Sequence, residues 1–510
     1  MKLQFLASLF LFFLALVFLL TRRHTKKAPP ASSSTTTPKS YPLIGSVFSI
    51  AANRHRRVQW ISDVLRNSPS ATFTLRRAFG SRQVFTANPA VVQHILKTHF
   101  HNYHKGFYLH RALGDFLGNG IFNADGDTWK FQRQVSSHEF NTRSLRKFVE
   151  TVVDTELSRR LAPILSSAVG SESTVLDFQD LLQRFAFDNI CRIAFGYDPE
   201  YLLPSLPKTS FAIAFDDGTR ISSERFNAAI PLFWKIKKLL NIGSEKRLRI
   251  AIKEVRDLAT KITREKKQEL QQKASLDLAD LLSRFLSSGH SDEDFVVDIV
   301  LSFILAGRDT TSAALTWFFW LLSKHPHVEN EILNEIKEKS EAPDYDELKD
   351  MVYTHAALCE SMRLYPPVPV DTKEAVADDV LPDGTFVKKG TRVAYHIYAM
   401  GRSEKLWGPD WAEFRPERWL KRVNAADNEA GKWRFVGMDS FTFTAFQAGP
   451  RICLGREMAF LQMKKIVAGV LRRFRVVPAV GKGVEPVYIA HLTSLMQGGF
   501  PVRIESRCGD

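Results

Sequence analysis

The feature that most constrains the fold is a long apolar run from Phe295 to Leu322. Three charged side chains interrupt this run: Asp298, Arg308 and Asp309. Because a charge at the centre of a membrane-spanning helix costs about 2.5–3.5 kcal/mol, we predict that the run does not cross a bilayer. Ser291 and Asp294 resemble a capping box, which is typical of a soluble helix. The sequence therefore predicts one long helix, buried in the core of a large domain.

The rest of the chain is long enough to build such a core. It has 510 residues, 45% of them hydrophobic, and shows no long linker after residue 45. Apolar periodicity predicts helices at 58–67, 89–99, 127–138, 144–168, 246–271, 291–323, 326–339, 346–364 and 454–473. Alternating patterns predict strands near 72–86, 385–397 and the C-terminus. Because strands do not alternate with helices, we predict a mainly α fold with a small β region, forming a single large domain over residues 46–510.

A second apolar run, from Phe5 to Leu20, predicts a membrane anchor. Only Lys2 precedes the run and no A-x-A site follows it, which favours a retained anchor over a cleaved signal peptide. Four basic residues follow the run: Arg22, Arg23, Lys26 and Lys27. Their position places the bulk of the chain in the cytosol. We therefore predict a transmembrane anchor with a basic stop over residues 1–27 and a Pro/Ser/Thr-rich linker over residues 28–45.

The cysteines and the net charge exclude several classes of protein. Four cysteines, at positions 191, 359, 453 and 508, are too far apart for a disulfide scaffold or a zinc cluster. The net charge is +15, but the basic residues do not gather beside aromatic residues, which argues against nucleic-acid binding. The surplus positive charge instead favours an acidic protein partner or anionic lipid.

One segment carries the strongest chemical signal: Phe446-Gln447-Ala448-Gly449-Pro450-Arg451-Ile452-Cys453-Leu454-Gly455. A lone cysteine is usually an inert buried side chain, but a thiolate can also donate electrons to haem iron and favour O–O cleavage. The whole segment resembles the haem-binding loop of the cytochromes P450. The resemblance implies that Cys453 ligates the iron of haem b. It also implies that Phe446 shields the sulfur, that Gly455 adjoins the haem and that Arg451 pairs with a haem propionate.

Two further sets of residues resemble the same family. Trp129 and Arg133 are four residues apart and share one helix face, and the resemblance makes them ligands of the haem propionates. Glu360 and Arg363 are three residues apart on another predicted helix. With Arg418, in Pro416-Glu417-Arg418-Trp419, they resemble the family's buried Glu-Arg-Arg network, which supports the thiolate loop.

The segment Ala306-Gly307-Arg308-Asp309-Thr310-Thr311 lies midway along the long apolar helix. Glycine costs about 1 kcal/mol inside a helix, so Gly307 answers a packing or ligand need. A threonine hydroxyl can simply bond the backbone four residues back. In the family, however, the helix opens here into a groove beside the haem at Ala306, and Asp309 and Thr310 supply protons for O–O cleavage. This acid–alcohol pair favours monooxygenation over a peroxide isomerase or a non-catalytic haem sensor.

The resemblance implies a haem-dependent monooxygenase that uses O₂ and electrons from NADPH. Because no flavin or nicotinamide motif is recognisable in the chain, the electrons would come from a separate flavoprotein, NADPH–cytochrome P450 reductase. This reductase would dock on the basic face behind Cys453. The resemblance also implies a single-pass protein of the endoplasmic reticulum membrane, with its catalytic domain facing the cytosol.

Three stretches, 117–123, 366–371 and 395–402, resemble the plant clan of terminal (ω) hydroxylases, closest to its family ninety-four. Members of that family oxidise fatty acids or jasmonoyl-amino acids, and some act on sterol side chains. We predict ω-hydroxylation of a long aliphatic substrate, with a fatty acid favoured and a sterol or jasmonoyl conjugate as alternatives. Family positions predict the substrate-facing residues Phe107, Leu113, Phe116, Leu117, Phe122, Phe303, Val368, Val370, Leu495 and Met496. Plain core packing is the alternative for each of them.

Overall fold

Helices account for most of the described structure, as the apolar periodicity predicts. The computed structural model describes residues 37–171, 173–207, 209–272, 280–288, 292–423, 432–481 and 483–507. The predicted anchor, residues 28–36 of the predicted linker, and Ser291 lie outside these residues. The α-helices are α1 Val47–Ala52, α2 Arg57–Arg66, α3 Pro89–Gln93, α4 Gly106–Leu117, α5 Gly126–Ser137, α6 Thr142–Lys147, α7 Asp154–Glu156, α8 Ala162–Ala168, α9 Phe178–Phe195, α10 Ser210–Asn227, α11 Leu232–Leu240, α12 Gly243–Gln272, α13 Leu281–Ser287, α14 Glu293–Ile304, α15 Thr310–Lys324, α16 Pro326–Lys337, α17 Tyr345–Lys349, α18 Val352–Leu364, α19 Ile397–Met400, α20 Glu404–Trp407 and α21 Arg456–Leu471.

Short strands form the small β region. They are β1 Thr72–Arg76, β2 Arg82–Thr86, β3 Tyr103–His104, β4 Leu176–Asp177, β5 Asp371–Ala375, β6 Asp379–Val380, β7 Phe386–Val387, β8 Arg392–Tyr395, β9 Leu420–Arg422, β10 Trp433–Phe435, β11 Phe474–Pro478, β12 Tyr488–Ala490, β13 Ser494–Met496 and β14 Pro501–Ser506. The largest sheet has the order β1-β2-β8-β5-β3, with β2 and β8 parallel. The register aligns Gln83 with Arg392 and Phe85 with Ala394, so these four side chains share one face of the sheet.

The long apolar run forms α14 and α15, which are joined by a π-helical segment, Leu305–Asp309. Asp292 caps α14 by accepting a hydrogen bond from the backbone nitrogen of Asp294. All residues from Val296 to Ile304 are buried. A helix buried on every side needs apolar residues on every side, which explains why this run shows little amphipathic periodicity.

The charged residues within this helix are paired with neighbouring helices. Asp298 accepts a hydrogen bond from Arg256 of α12 at 2.7 Å. Arg308 contacts Asp216 of α10 at 2.9 Å and its own neighbour Asp309 at 2.8 Å. Because a buried charge is tolerated only when it is paired, these contacts explain how three ionisable groups fit inside an apolar helix.

Three apolar clusters form the core of the described residues, and two of them include residues of the central helix. One joins α15, α18 and α21, a second joins α4, α9 and α14, and the third lies between α2 and the largest sheet. Residues Pro38–Asp510 form one compact unit. Within the described ranges, no helix has both the length and the apolar character needed to cross a membrane.

Candidate active site

The loop that carries Cys453 is held in one conformation by its glycine and its backbone contacts. Gly449 has a φ of +63°, and a Cβ at this position would lie 2.0 Å from the carbonyl oxygen of Leu96. Glycine is therefore the residue that fits both the conformation and the space. After a 3₁₀ turn, Gly449–Arg451, the backbone nitrogen of Cys453 donates a hydrogen bond to the carbonyl of Phe446 at 2.9 Å.

Cys453 is surrounded by protein, but its side chain has open surface that faces an interior cavity. Burial raises the pKa of the Cys453 thiol above its ordinary value. A hydrogen bond from the backbone of Gly455 and the charges of Arg133 and Arg456 act in the opposite direction, because they favour the thiolate. The surroundings thus include one backbone donor and two cations that can stabilise a thiolate ligand.

The cavity has a volume of about 430 Å³ and brings together the residues that the family resemblance singles out. Its lining includes the predicted cofactor-binding residues Trp129, Arg133, Ala306, Phe446, Arg451, Cys453 and Gly455, together with Thr310. These residues come from α5, the central helix and the cysteine loop, which are far apart in the sequence. A pocket of this volume is in the range that accommodates a ligand or cofactor.

The wall formed by Arg451, Arg133 and Trp129 fits the anionic propionates of a haem. Arg451 donates to Asp125 at 2.7 Å and to the carbonyl of Ala124 at 3.0 Å, but its Nε is buried and has no partner among the described residues. Arg133 donates to the carbonyl of Ile452 at 2.8 Å. Both guanidinium groups lie over the Trp129 ring, at 4.5 Å and 5.9 Å from its centroid. Because a buried donor normally has an acceptor, the orphaned Nε indicates an absent anionic group.

The same wall contains a buried charge cluster that the sequence analysis did not assign. Asp371 lies 2.9 Å from the ammonium groups of Lys105 and Lys373 and accepts a hydrogen bond from the Tyr395 hydroxyl at 2.7 Å. Burial raises the pKa of Asp371, but the two lysines outweigh it and hold this pKa well below its usual range. Asp371 is the last residue of the stretch 366–371, and Lys373 follows it by two residues. This pair of an acid and a lysine was the sequence signal that could have identified the cluster.

The acid–alcohol pair of the central helix lies at the π-helical segment. The Thr310 hydroxyl lines the cavity and donates to the carbonyl of Ala306 at 2.6 Å. Asp309 contacts Arg308 and accepts a hydrogen bond from Thr493 at 3.3 Å, so it reaches the cavity through Thr493, which lines it. Burial is the main cause that raises the pKa of Asp309 to about 6. Such a carboxyl can hold or release a proton near neutral pH.

Gly307, in the same turn, has a packing role. A Cβ added at Gly307 would lie 2.5 Å from Cγ1 and 2.7 Å from Cβ of Ile190, which belongs to α9. These distances are too short for a side chain at position 307, so the glycine allows α9 to pack closely against the central helix. The structure thus shows the packing need considered from the sequence, and Gly307 also lines the cavity.

Glu360, Arg363 and Arg418 come together in a buried network. Arg363 donates to Glu360 through Nε and Nη2, both at 2.8 Å, and Arg418 donates through Nε at 3.2 Å. Trp419 adds a hydrogen bond from its indole nitrogen at 2.9 Å. The Trp419 ring also packs against Phe443, with centroids 4.7 Å apart. The network therefore reaches the segment that leads into the cysteine loop.

Six of the ten predicted substrate-facing residues line the cavity: Leu113, Leu117, Phe122, Phe303, Val368 and Val370. Phe107 is instead 65% exposed, and Phe116 faces away from the cavity, with its ring 5.3 Å from that of Phe215. Leu495 and Met496 belong to β13 and are not in the lining. These four residues are therefore not part of the cavity lining, and their predicted contact with substrate stays a prediction.

Other residues, which the sequence did not single out, take their places in the cavity wall. Leu109 precedes Leu113 and Leu117 by whole steps of four residues on α4. Residues His491, Leu492 and Thr493, in the turn before β13, line the cavity where the two β13 residues were expected. The spacing of four residues on α4 was a sequence signal for this stripe, because such residues share one helix face.

A cysteine loop and a widened central helix that face one cavity define the class of haem-thiolate enzymes. The chain belongs to the cytochrome P450 family, because the family model described as Cytochrome P450 matches residues 36–501. It is 70% identical to Cytochrome P450 94A2 of Vicia sativa over 473 residues, which cover 92% of this chain and 91% of that protein. It is 64% identical to Cytochrome P450 94A1 of Vicia sativa, over 92% of this chain and 90% of that protein. Cytochrome P450 94B1 of Arabidopsis thaliana is 50% identical, over 92% of this chain and 91% of that protein.

These relatives place the chain in family 94 of the cytochromes P450, as the three quoted stretches predicted. The protein is accordingly a monooxygenase with a haem-iron cofactor.

Proposed function

We propose that this monooxygenase hydroxylates the terminal carbon of a long-chain fatty acid. The observation that carries the proposal is the cavity in front of Cys453, whose walls are largely aliphatic and aromatic. The stripe formed by Leu109, Leu113 and Leu117 faces this space, as does Phe303. Such walls bind an alkyl chain through burial of apolar surface. Because C–H bonds of a methyl group are stronger than those of a methylene, terminal attack requires walls that present only the chain end.

Five residues would hold the haem in this proposal. Cys453 would bind the iron as a thiolate, Arg451, Arg133 and Trp129 would bind the propionates, and Phe446 would shield the sulfur. When bound, the haem activates molecular oxygen and inserts one of its atoms into a substrate C–H bond. The free Nε of Arg451 and the cations around Cys453 support these assignments.

Protons would reach the reaction through Asp309 and Thr310. The Asp309 carboxyl is buried and carries a raised pKa, so it is able to release a proton and take up another. Thr493 connects this carboxyl to the cavity, and the Thr310 hydroxyl lies at the cavity surface. We expect Thr310→Ala to keep the haem but to separate NADPH consumption from product formation, with release of hydrogen peroxide.

Thr316→Ala is the matched control for that variant. Thr316 also bonds the backbone four residues back, at 2.7 Å, but it does not line the cavity. If both variants keep the wild-type ratio of product to NADPH consumed, the role assigned to Thr310 is wrong.

A separate NADPH-dependent flavoprotein reductase is the electron donor in this proposal. The net charge of +15 supports an acidic docking partner, and the exposed Arg456 lies three residues after Cys453. Charge complementarity of this kind mainly raises the association rate. We expect Arg456→Glu to slow reduction of the haem by the reductase, and to do so more strongly at low salt than at high salt.

The proposal also places the protein on the endoplasmic reticulum membrane. The predicted single-pass anchor, residues 1–27, lies outside the described residues, so the support from the structure comes from α11. This helix also contains three lysines, and its exposed apolar side chains are Leu232, Phe233, Ile236, Leu239 and Leu240. An exposed apolar patch with basic residues suits the surface of a bilayer with anionic lipids.

The test is oxidation of a substrate panel by the full chain in microsomes with reductase and NADPH. The panel contains fatty acids, a jasmonoyl-amino acid and a hydroxylated sterol, and the position of the new oxygen is determined in each product. Hydroxylation at the terminal carbon of fatty acids supports the proposal. Oxidation of the sterol or the jasmonoyl conjugate alone would overturn the substrate assignment but leave the monooxygenase chemistry intact. Cys453→Ala, which should lose the carbon-monoxide absorbance of a thiolate-ligated haem, is the control for the metal ligand.

A further inference from the structure

The charges that line the cavity do not balance. Five cationic side chains belong to the lining: Arg57, Arg77, Lys105, Arg133 and Arg451. Asp371 is the one acidic residue among the lining residues in the described part of the chain, and it pairs with Lys105. Arg133 and Arg451 belong to the wall that fits the haem propionates. Arg57 and Arg77 are then left facing an apolar cavity without a counter-ion.

Arg57 has no carboxylate or other hydrogen-bonding partner in the described part of the chain. It is the first residue of α2 and is half-buried, yet its guanidinium makes no hydrogen bond or ion pair with any described residue. Burial and the neighbouring charge of Arg77 lower the pKa of Arg57 to about 10. A guanidinium is costly to bury without an acceptor, so its unpaired position is a feature to be explained.

Arg77 is more buried and is held in place by neutral groups. It is 7% exposed, donates to the amide oxygen of Gln83 at 3.2 Å, and donates to the carbonyl of Ala228. Neither acceptor carries a charge. Arg392, next to Gln83 across the parallel strands, is 6% exposed and has a buried Nη1 that no group among the described residues satisfies.

The surroundings of the two arginines suit an anionic head group attached to an apolar chain. Ser223 and Asn227, at the end of α10, line the same part of the cavity with a hydroxyl and an amide. Leu75 and Phe85 provide the apolar surface of the sheet beside them. A planar guanidinium matches a carboxylate, because it can donate two parallel hydrogen bonds to the two oxygens.

We propose that Arg57 and Arg77 bind the carboxylate of the substrate and thereby fix which carbon is presented to the haem. This inference rests on the proposed function and specifies how the substrate is recognised. With the carboxylate held at Arg57, the alkyl chain lies along the Leu109-Leu113-Leu117 stripe, so the opposite end of the molecule enters the reaction site. A neutral sterol offers no negative charge to these two arginines.

The experiment compares binding of dodecanoic acid with binding of its methyl ester to the full-length holoenzyme in nanodiscs, measured as dissociation constants. The wild type should bind the acid at least about tenfold more tightly, because the ester lacks the negative charge. Arg57→Gln should weaken binding of the acid by about 10- to 100-fold and leave binding of the ester unchanged. Arg54→Gln, an exposed arginine three residues earlier, should change neither value.

Product analysis provides a second measurement on the same variants. With Arg57→Gln, hydroxylation should spread from the terminal carbon to in-chain carbons, because the chain is no longer held at its far end. Equal affinity of the wild type for acid and ester would overturn the inference, even if Arg57→Gln failed to fold. An unchanged acid affinity in a folded Arg57→Gln variant would overturn it as well.

The outcomes separate this inference from the proposed function. Acid binding that depends on Arg57, without oxidation of any acid, would refute the proposed function and leave the carboxylate site standing. Terminal oxidation of fatty acids with no effect of Arg57→Gln would do the reverse. Nanodiscs without anionic lipid test whether a lipid head group is the anion that binds at Arg57. If the tighter binding of the acid depends on Arg57 only after anionic lipid is removed, a lipid head group occupies the site and the inference is wrong.

Discussion

Replacement of Glu360 by Gln tests whether the buried charge network stabilises the fold around the cysteine loop. Glu360 is fully buried and accepts hydrogen bonds from Nε and Nη2 of Arg363, from Nε of Arg418, from the indole nitrogen of Trp419, and from the backbone nitrogen of Arg415. A glutamine has nearly the same shape but offers one acceptor oxygen. Its amide NH₂ group would face donors. Arg363 would lose its counter-ion, whereas Arg418 would keep its contact with Asp410 at 3.2 Å.

The size of the effect follows from these contacts. Placing the NH₂ group at Oε2 removes the two hydrogen bonds from Arg363 Nε and Trp419, and each hydrogen bond to a charged group contributes about 1.5–3 kcal/mol. Breaking one partner of a buried ion pair costs about 3–5 kcal/mol, which agrees with that sum. We therefore expect Glu360→Gln to lower the free energy of unfolding by about 3–5 kcal/mol.

The measurement is urea denaturation of the holoenzyme, followed together with the loss of the carbon-monoxide absorbance of the thiolate-ligated haem. Because large proteins often unfold irreversibly, the half-life of that absorbance at fixed temperature is recorded as well. Glu413→Gln is the matched control, since Glu413 lies in the same segment with an exposed side chain and should change stability by less than about 0.5 kcal/mol. A Glu360→Gln variant within about 1 kcal/mol of the wild type would refute the reasoning.

Three further predictions concern the central helix and the surface. The raised pKa of Asp309 means that the native protein binds a proton more tightly than the unfolded chain, so stability should fall as pH rises from about 4 to about 6, and Asp309→Asn should remove this fall in denaturation curves taken across that range. Gly307→Ala should lower the free energy of unfolding by about 1–3 kcal/mol through overpacking, and combination with Ile190→Ala should cost less than the sum of the two single variants. A photo-crosslinking residue at Leu239 should label lipid in microsomes, whereas the same residue at the exposed Ile250 of α12 should not; equal labelling would contradict a membrane-facing role for α11.

The sequence predicted the central helix and the residues of the quoted motifs because each depends on a local pattern of residues. The apolar run 295–322 contains more apolar residues than one helix face requires, so burial on all sides was the consistent interpretation. The conformation of the cysteine loop depends on Gly449, because the carbonyl of Leu96 lies too close to allow a side chain at this position. Motifs of this kind carry their geometry within a few residues.

Residues whose role depends on distant packing could not be predicted in the same way. Phe116 and Leu117 are neighbours in α4, but Leu117 lines the cavity and Phe116 packs against Phe215, because consecutive helical residues point about 100° apart. Arg57 gives no signal in the sequence either, since most arginines lie on the surface and pair with water. That it lines the cavity becomes visible only when α2 is placed against the largest sheet.

The arginines inside this protein differ in whether the chain itself supplies a carboxylate partner. This difference distinguishes an arginine with a structural role from one that recognises a ligand. Arg363 and Arg225 are paired with carboxylates of the chain, Glu360 and Glu245 respectively, so their charge is satisfied by the fold itself. Arg57 has no such partner among the residues that the structure describes. Because an unpaired, partly buried charge lowers the stability of the free protein, a ligand that pairs with it should compensate this cost. Stability should therefore respond differently in the two cases. Loss of Arg363 destabilises the protein with or without ligand. Arg57→Gln leaves the ligand-free protein as stable as the wild type, or more stable, and reduces the stabilisation that added fatty acid provides.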